Sequence, residues 1–350
     1  MKYKVAIIGC GRIAERHVQV INDNPDLEVK ALIDIVVDKA NSLAKQFHIY
    51  NVYDKYEQVL NTIPIDIITV CTEAGNHAKI VCDIAKYGKT IIVEKPMALT
   101  IEDADRMIQE CAKYNTKLFV VKQNRYNLPV IALKEAMERG RFGKLTLGTI
   151  RLRWHRDMDY FNMDKWRGTW SMDGGVLASQ ASHHVDLLQW MMGPVRSVMA
   201  MTTTRLLDIE VDDTGVVILE FENGALGVIE ATNAAQPENL EGSISILGEG
   251  GTVVIGGVAV NRIDTWRFAE EDSMDKDLGT FSENPPDIYG YGHRRFYEAV
   301  VKNLKGKEAS VIDGYEGRKS LELINAIYES AETGRRVYLK FQPEHVRLGR

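Results

Sequence analysis

Lys95 sits where hydride chemistry could use a cation. It follows the apolar run Thr90-Ile91-Ile92-Val93 and precedes Pro96. The proline fixes its own φ, removes a backbone donor and biases Lys95 away from helix. The backbone is therefore expected to stop at a strand end and aim the lysine into a crevice. Upstream, Gly9-x-Gly11-x-x-Ala14 lies between a strand-like run and a helical one. Gly9 suits the tight turn and Gly11 a close backbone approach to a pyrophosphate. Ala14 suits helix–strand packing, and the helix N-terminus faces the anion. Asp34, 20 residues beyond Ala14, ends the second predicted strand, where an acid binds ribose hydroxyls and repels a 2′-phosphate. NAD is thus expected rather than NADP. Gly9, Gly11, Arg12, Ile13 and Asp34 are the core of the predicted cofactor site. Thr72, Asn76, His77, Glu94 and Gln123 join them at or near strand ends, where ligands of such sheets collect.

These residues need a scaffold. Predicted strands at 3–8, 28–34, 66–71, 90–93 and 117–121 alternate with helices at 12–23, 38–46, 76–87 and 101–114. That alternation is the pattern of a doubly wound parallel sheet, and a full dinucleotide fold has six strands. After a helix at 129–139, strand-like runs at 145–155, 195–205, 214–221, 225–231, 243–248 and 252–255 predict a mainly antiparallel open sheet. A helix at 175–192 carries His183 and His184. Residues 266–290 read as a long polar loop. Helices at 292–304 and 314–333 precede a last strand at 336–340. The fold class expected is an α/β Rossmann domain, 1–123, followed by an α+β domain, 124–350, for substrate binding and oligomerisation.

At 350 residues, two domains are expected. Net charge −6 gives no reason to expect nucleic acid. The four cysteines form no CxxC pair and read as free thiols of a cytoplasmic protein. The first residues run directly into a strand, so neither a signal peptide nor a membrane span is expected. His183 and His184 face about 100° apart on a helix, and no third ligand at helical spacing joins either. No catalytic metal is expected.

The fingerprint, Cys71-Thr72-x4-His77, Val93-Glu94-Lys95-Pro96 and the His183 helix together resemble the Gfo/Idh/MocA oxidoreductase family over the full length. Within it, Val121-Lys-Gln-Asn-Arg-Tyr-Asn127, Trp154-His-Arg156, Tyr160-Phe161, Trp166-Arg-Gly-Thr169 and Asp173-Gly-Gly175 through His183 resemble the UDP-N-acetyl-sugar 3-dehydrogenases. The resemblance implies oxidation of the C3 hydroxyl of UDP-N-acetylglucosaminuronate for surface-polysaccharide or lipopolysaccharide synthesis. It also implies a homodimer or homotetramer, and 2-oxoglutarate as a reoxidant of NADH. Lys95 and His183 become the catalytic pair, and either can take the hydroxyl proton. The substrate candidates are Lys95, Asn124, Arg125, Arg156, Tyr160, Trp166, Arg167, Thr169, Gln180 and His183. The cluster of Arg156, Trp166, Arg167 and Thr169 suits a diphosphate and a uracil, but equally a subunit contact. Many relatives carry Asp four residues before the histidine; here Ser179 occupies that place. Two alternatives remain: a dehydrogenase of a free polyol or sugar such as an inositol, and a non-catalytic NAD-binding sensor.

Overall fold

In the computed structural model, residues 2–276, 278–283, 285 and 288–339 are described. Two sheets organise them. The first is built from β1 (Tyr3–Ile8), β2 (Leu27–Ile33), β3 (Val52–Tyr53), β4 (Ile67–Val70), β5 (Thr90–Val93) and β6 (Leu118–Val120). All pairs are parallel and the order is β3-β2-β1-β4-β5-β6. Its helices are α1 (Arg12–Asp23), α2 (Val37–Phe47), α3 (Tyr56–Thr62), α4 (Ala74–Ala85) and α5 (Ile101–Lys113). With helices on both faces, β4 and β6 are buried at every residue and β5 at all but Thr90, hence their unbroken apolar runs. Strand order reverses between β1 and β4, and a crevice opens there beyond the carboxyl ends.

A 3₁₀ turn, Gln123–Tyr126, leads to α6 (Leu128–Glu138), β7 (Leu145–Arg153) and the short α7 (Met158–Asn162) and α8 (Val176–Ser179). Then come α9 (Ser182–Met192), β8 (Val195–Thr203), β9 (Thr214–Phe221), β10 (Leu226–Thr232), β11 (Glu241–Gly248), β12 (Gly251–Gly256) and β13 (Arg262–Phe268). The helices α10 (Gly292–Leu304) and α11 (Gly314–Thr333) and the strand β14 (Val337–Tyr338) close the described chain. The second sheet runs β13-β12-β11-β7-β10-β9-β8-β14, with only β7 and β10 parallel. Along β9, Val217, Leu219 and Phe221 face the core while Val216 and Ile218 lie exposed, the alternation of a sheet covered on one side. Helices α9 and α11 supply that cover.

Four differences from the sequence reading have local causes. The β3 pair is too short to show a period, and α3 follows it unannounced. The strand β13 was not anticipated and runs into the start of the segment read as loop, its polar composition reflecting an exposed edge. Residues 277, 284, 286 and 287 of that loop and residue 340 of the last predicted strand lie outside the described residues. The helix expected over 175–192 is broken at Gln180–Ala181 into α8 and α9, so Ser179 and His183 do not share one continuous helical face. Finally, α10 returns to the first core: Phe296, Tyr297, Val300 and Val301 pack into the cluster built around the Rossmann sheet.

A buried ion pair ties these parts together. Arg125, on the turn after β6, grips Asp186 of α9 with two bonds of 2.7 and 2.8 Å and reaches Glu316 of α11 at 2.9 Å. Lys122 stands 3.7 Å from Asp186 and donates to Ser320 Oγ at 2.7 Å. Burial alone would raise the Asp186 carboxyl; the charges of Arg125 and Lys122 outweigh it and hold it below its ordinary value. Removing one partner of a buried pair strands the other charge, at a cost of about 3–5 kcal/mol. Arg125→Ala is therefore expected to lower the urea midpoint strongly. In the wild type, the clamp contributes fully above the unfolded Asp value of about 3.9. Its contribution is lost as pH falls through the lower folded value, which acid unfolding of the two proteins compares.

Candidate active site

A cavity of ≈ 910 Å³ fills the crevice and runs from the tip of β2 to the segment after α7. Its first half is made by the glycine turn. Gly9 has φ +91°, and a Cβ there would lie 2.7 Å from Cys71 C and Thr72 N, so only glycine lets the turn pack on the end of β4. Around Gly11 the space is open. No side chain caps α1, whereas Thr100 caps α5 and Asp313 caps α11. The free amides of α1 thus face the cavity, as an anion requires. Asp34 is anchored by Cys10 N–H at 2.7 Å and Val36 N–H at 2.8 Å. Its carboxylate lines the cavity with acceptor capacity to spare. Deeper in, Gln123 lines the same space, and its buried Oε1 has no partner within the protein. An open glycine cradle, a ribose-sized acid and an orphaned acceptor fit a nicotinamide dinucleotide.

Arg12, Ile13, Thr72, Asn76, Glu94, Lys95, Tyr160, Trp166, Arg167 and Gln180 also line the cavity. Several other candidates, Arg156 and His183 among them, do not. His77 is buried between the carbonyls of Pro96 (2.9 Å) and Thr72 (3.0 Å) and braces the walls from behind. Arg125 is committed to Asp186 and Glu316, and Asn124 is buried beside it. Thr169 closes a turn on Trp166 O at 2.7 Å.

Lys95 is half-buried and its peptide bond to Pro96 is cis. Its Nζ donates to the Ser179 carbonyl at 2.6 Å, across from the first sheet to the end of α8. Burial pushes its pKa down. Glu94 and Asp173 oppose that shift; Arg156 and Arg167 add to it. Burial, then the charges of Lys95 and Lys122, hold His183 well below its ordinary range. Both its ring nitrogens are buried and unpartnered, an uncommon state for buried polar atoms. His184 is buried with its ring edge-on to Trp154, centroids 6.0 Å apart.

Opposite Lys95 lies a hydrogen-bonded array. Arg167 Nη1 and Gln180 Nε2 donate to Tyr160 Oη at 2.8 and 3.0 Å. Arg156 Nη2 donates to Gln180 Oε1 at 3.1 Å, and its buried Nε is unpartnered. The two guanidinium carbons lie 5.2 and 4.6 Å from the Tyr160 ring centroid, and Arg167 also stacks on Trp166 at 4.5 Å. Such planar cations suit carboxylate or phosphate oxygens.

Among the cavity residues that sequence reasoning left unassigned, two stand near Lys95 or the array. Asp173 lines the cavity and acts on Lys95, with Oδ2 held by Gly168 N–H at 2.8 Å. Tyr289 comes from the segment read as loop. The Asp-Gly-Gly run was a usable signal for the first; nothing local marked the second. Among the described residues, one group of metal-ligating side chains converges: His17, Glu94 and His293. Also among them, no helix is long and apolar enough to cross a membrane.

Residues 3–122 match the family described as "Oxidoreductase family, NAD-binding Rossmann fold", and residues 130–254 match the "GFO/IDH/MocA C-terminal domain". The WlbA dehydrogenase from Bordetella pertussis, solved in complex with NADH and UDP-GlcNAcA, superposes with a TM-score of 0.94. It is 39% identical, over 97% of this chain and 99% of that one. The WlbA dehydrogenase from Chromobacterium violaceum, solved with the same two ligands, gives 0.92 and 39%, over 98% and 97%. The myo-inositol 2-dehydrogenase of Thermotoga maritima is 28% identical over 96% of this chain and 98% of its own length. With the glycine cradle, Asp34 and the strand-end lysine in one cavity, this chain is an NAD-dependent sugar oxidoreductase and belongs to the Gfo/Idh/MocA family.

Proposed function

We propose that the protein oxidises the C3 hydroxyl of UDP-N-acetylglucosaminuronate to the 3-keto sugar. The observation that carries this reading is that Gln180, Tyr160 and Arg167 line one cavity with Lys95, joined by Arg156 through its bond to Gln180. An uncharged polyol gives two stacked guanidinium groups nothing to pair with, whereas a nucleotide sugar acid brings a diphosphate and a carboxylate. The full-length likeness to enzymes crystallised with UDP-GlcNAcA supports the same substrate.

NAD⁺, when bound, accepts the hydride that leaves the sugar carbon. Lys95 takes the hydroxyl proton, for two reasons. It lines the cavity, and burial brings its pKa down toward the working range. His183 is held so far below neutral that it is a weak base; as a neutral imidazole it orients the hydroxyl through one hydrogen bond. The Ser179 carbonyl holds Nζ in place until a substrate oxygen shares it.

The same reading extends to assembly and setting. The open face of the second sheet exposes Met199, Met201, Val216 and Ile218, an apolar patch that a second copy would cover, giving a homodimer or homotetramer. The free cysteines Cys10, Cys71 and Cys111 are buried and suit the reducing cytoplasm. The pathway is surface-polysaccharide assembly, with 2-oxoglutarate regenerating NAD⁺.

The wild-type protein, given NAD⁺ and UDP-N-acetylglucosaminuronate, is expected to yield a product two mass units lighter than the sugar nucleotide. The incubation is run with and without 2-oxoglutarate and read by mass spectrometry. No product in either, with turnover of an inositol instead, would overturn the substrate assignment. Lys95→Ala is expected to lower kcat/KM by about 10²–10⁴-fold. In the wild type, kcat/KM should rise with pH through a value below the ordinary lysine value of about 10.4, because the unprotonated amine is the active form. Tyr160→Phe removes the shared acceptor of the array, so KM for the nucleotide sugar is expected to rise about tenfold with kcat little changed.

A further inference from the structure

Glu94 lines the cavity yet is only 5% exposed. A carboxylate so placed must be fully hydrogen-bonded to stay charged. Its Oε2 accepts the Lys95 main-chain N–H at 3.0 Å. Its Oε1 lies 2.8 Å from His17 Nε2, with His293 Nε2 at 3.6 Å. Beyond that, His17 Nδ1 is 2.7 Å from Tyr297 Oη, which is 3.1 Å from Thr69 Oγ1. His17, Thr69, His293 and Tyr297 are fully buried.

The proton positions in this chain follow from its end. An ionised carboxylate only accepts, so His17 Nε2 carries the proton. Neutral His17 then accepts at Nδ1 from the Tyr297 hydroxyl, whose oxygen accepts from Thr69. Glu94, His17, Tyr297 and Thr69 are then each satisfied with one negative charge at Glu94, while His293 stands just beyond hydrogen-bond distance with its ring nitrogens unpartnered. Burial would raise that carboxyl, but the imidazole N–H groups directed at it from His17 and His293 outweigh it and hold it well below its ordinary value. The chain draws on β4, the end of β5, α1 and α10, so it locks three layers to the residue that precedes the lysine. A cation held by His17, Glu94 and His293 would compete with these bonds, since His17 Nε2 and both carboxylate oxygens are already engaged.

We propose that His17, His293 and Tyr297 are positioning residues for Lys95: acting through Glu94, they fix the strand-end backbone from which the lysine reaches the cavity and hold a negative charge against its ammonium. The proposal rests on Lys95 as the proton acceptor. The charges that face Lys95 are Glu94 and Asp173 on one side and Arg156, Arg167 and Lys122 on the other, with the neutral but titratable His183 beside them. Removing Glu94's charge therefore favours the neutral amine and moves the lysine's titration to lower pH.

The decisive measurement needs no sugar. Full-length wild-type, Glu94→Gln, His17→Gln and His17→Leu proteins are treated briefly with acetic anhydride from pH 6 to pH 11, with Lys95 labelling read by peptide mass spectrometry. Glu94→Gln is expected to lower the midpoint by about one unit or more. His17→Gln, whose amide donor replaces Nε2–H, should keep the wild-type midpoint. With the nucleotide sugar as substrate, His17→Leu should lose about 10–100-fold in kcat while KM for NAD⁺ stays within about twofold, and His17→Gln should restore most of the loss. An unmoved midpoint in Glu94→Gln, wild-type kcat in His17→Leu, or one equivalent of metal in the wild type that Glu94→Gln loses would each overturn the proposal. Should His17→Leu fail to fold, Glu94→Gln and His17→Gln decide by labelling alone. If labelling shifts as stated but the nucleotide sugar is not oxidised, the substrate assignment fails and the positioning network stands.

Discussion

The contact on which the structure turns is the 2.6 Å bond from Lys95 Nζ to the Ser179 carbonyl. One group is carried by the first sheet and the other by the short helix in front of the second. For the bond to form, β5 must end where it does and α8 must stop at Ser179. The break between α8 and α9 is what frees that carbonyl, because in an uninterrupted helix it would accept the amide four residues on. Arg125 and Lys122 reinforce the alignment from the other side of α9 by gripping Asp186. A hydride donor and acceptor must meet within a fraction of an ångström of the productive geometry. The inter-sheet contacts beside Lys95 are accordingly the buried and charged ones.

Charge is distributed against the average. The chain is acidic overall at −6, but the far end of the cavity presents Arg167, with Arg156 bonded to the cavity residue Gln180 and Lys95 nearby. Net charge governs long-range behaviour; a binding site is governed by what lies within a few ångströms. Three of the acidic groups in the cavity are anchored: Asp34 by two backbone amides, Glu94 by His17 and Lys95 N–H, Asp173 by Gly168 N–H. Fixed anions of this kind tune the lysine and shape the ribose end without repelling the phosphates held elsewhere.

Much of this was legible in the sequence, and the reasons are local. The glycine turn, Asp34 and Lys95 all sit at ends of apolar runs, and strand ends of a parallel sheet share one rim. Contiguous sequence thus implied contiguous space. What stayed hidden depends on pairings across the chain. Arg125 was a substrate candidate through the family resemblance of its run, yet its partner is Asp186, 61 positions away. The bond between His17 and Tyr297 spans 280 positions, and only the return of α10 to the first core makes it possible. Two-residue β3 and polar β13 carried too little periodicity to be seen.

Ser179 stands where the resemblance implies aspartate in many relatives, and a serine there removes a carboxylate helper beside His183. In the structure its hydroxyl turns back to the Gly175 carbonyl at 3.0 Å, and only its own carbonyl meets the lysine. A backbone carbonyl is present whatever the side chain, so the lysine's anchor does not depend on residue type at 179. The negative charge comes from elsewhere: Glu94 adjoins Lys95 in sequence, and Asp173 stands on the loop before α8. These two charges have opposite geometric origins, one set by the strand and one by the second domain. Both favour the ammonium, while burial and the two arginines favour the amine. Lys95 is thus pulled toward each state by groups from both halves of the molecule, with burial shifting it down on balance, so its basicity depends on how the halves are held together as well as on its own sequence neighbours.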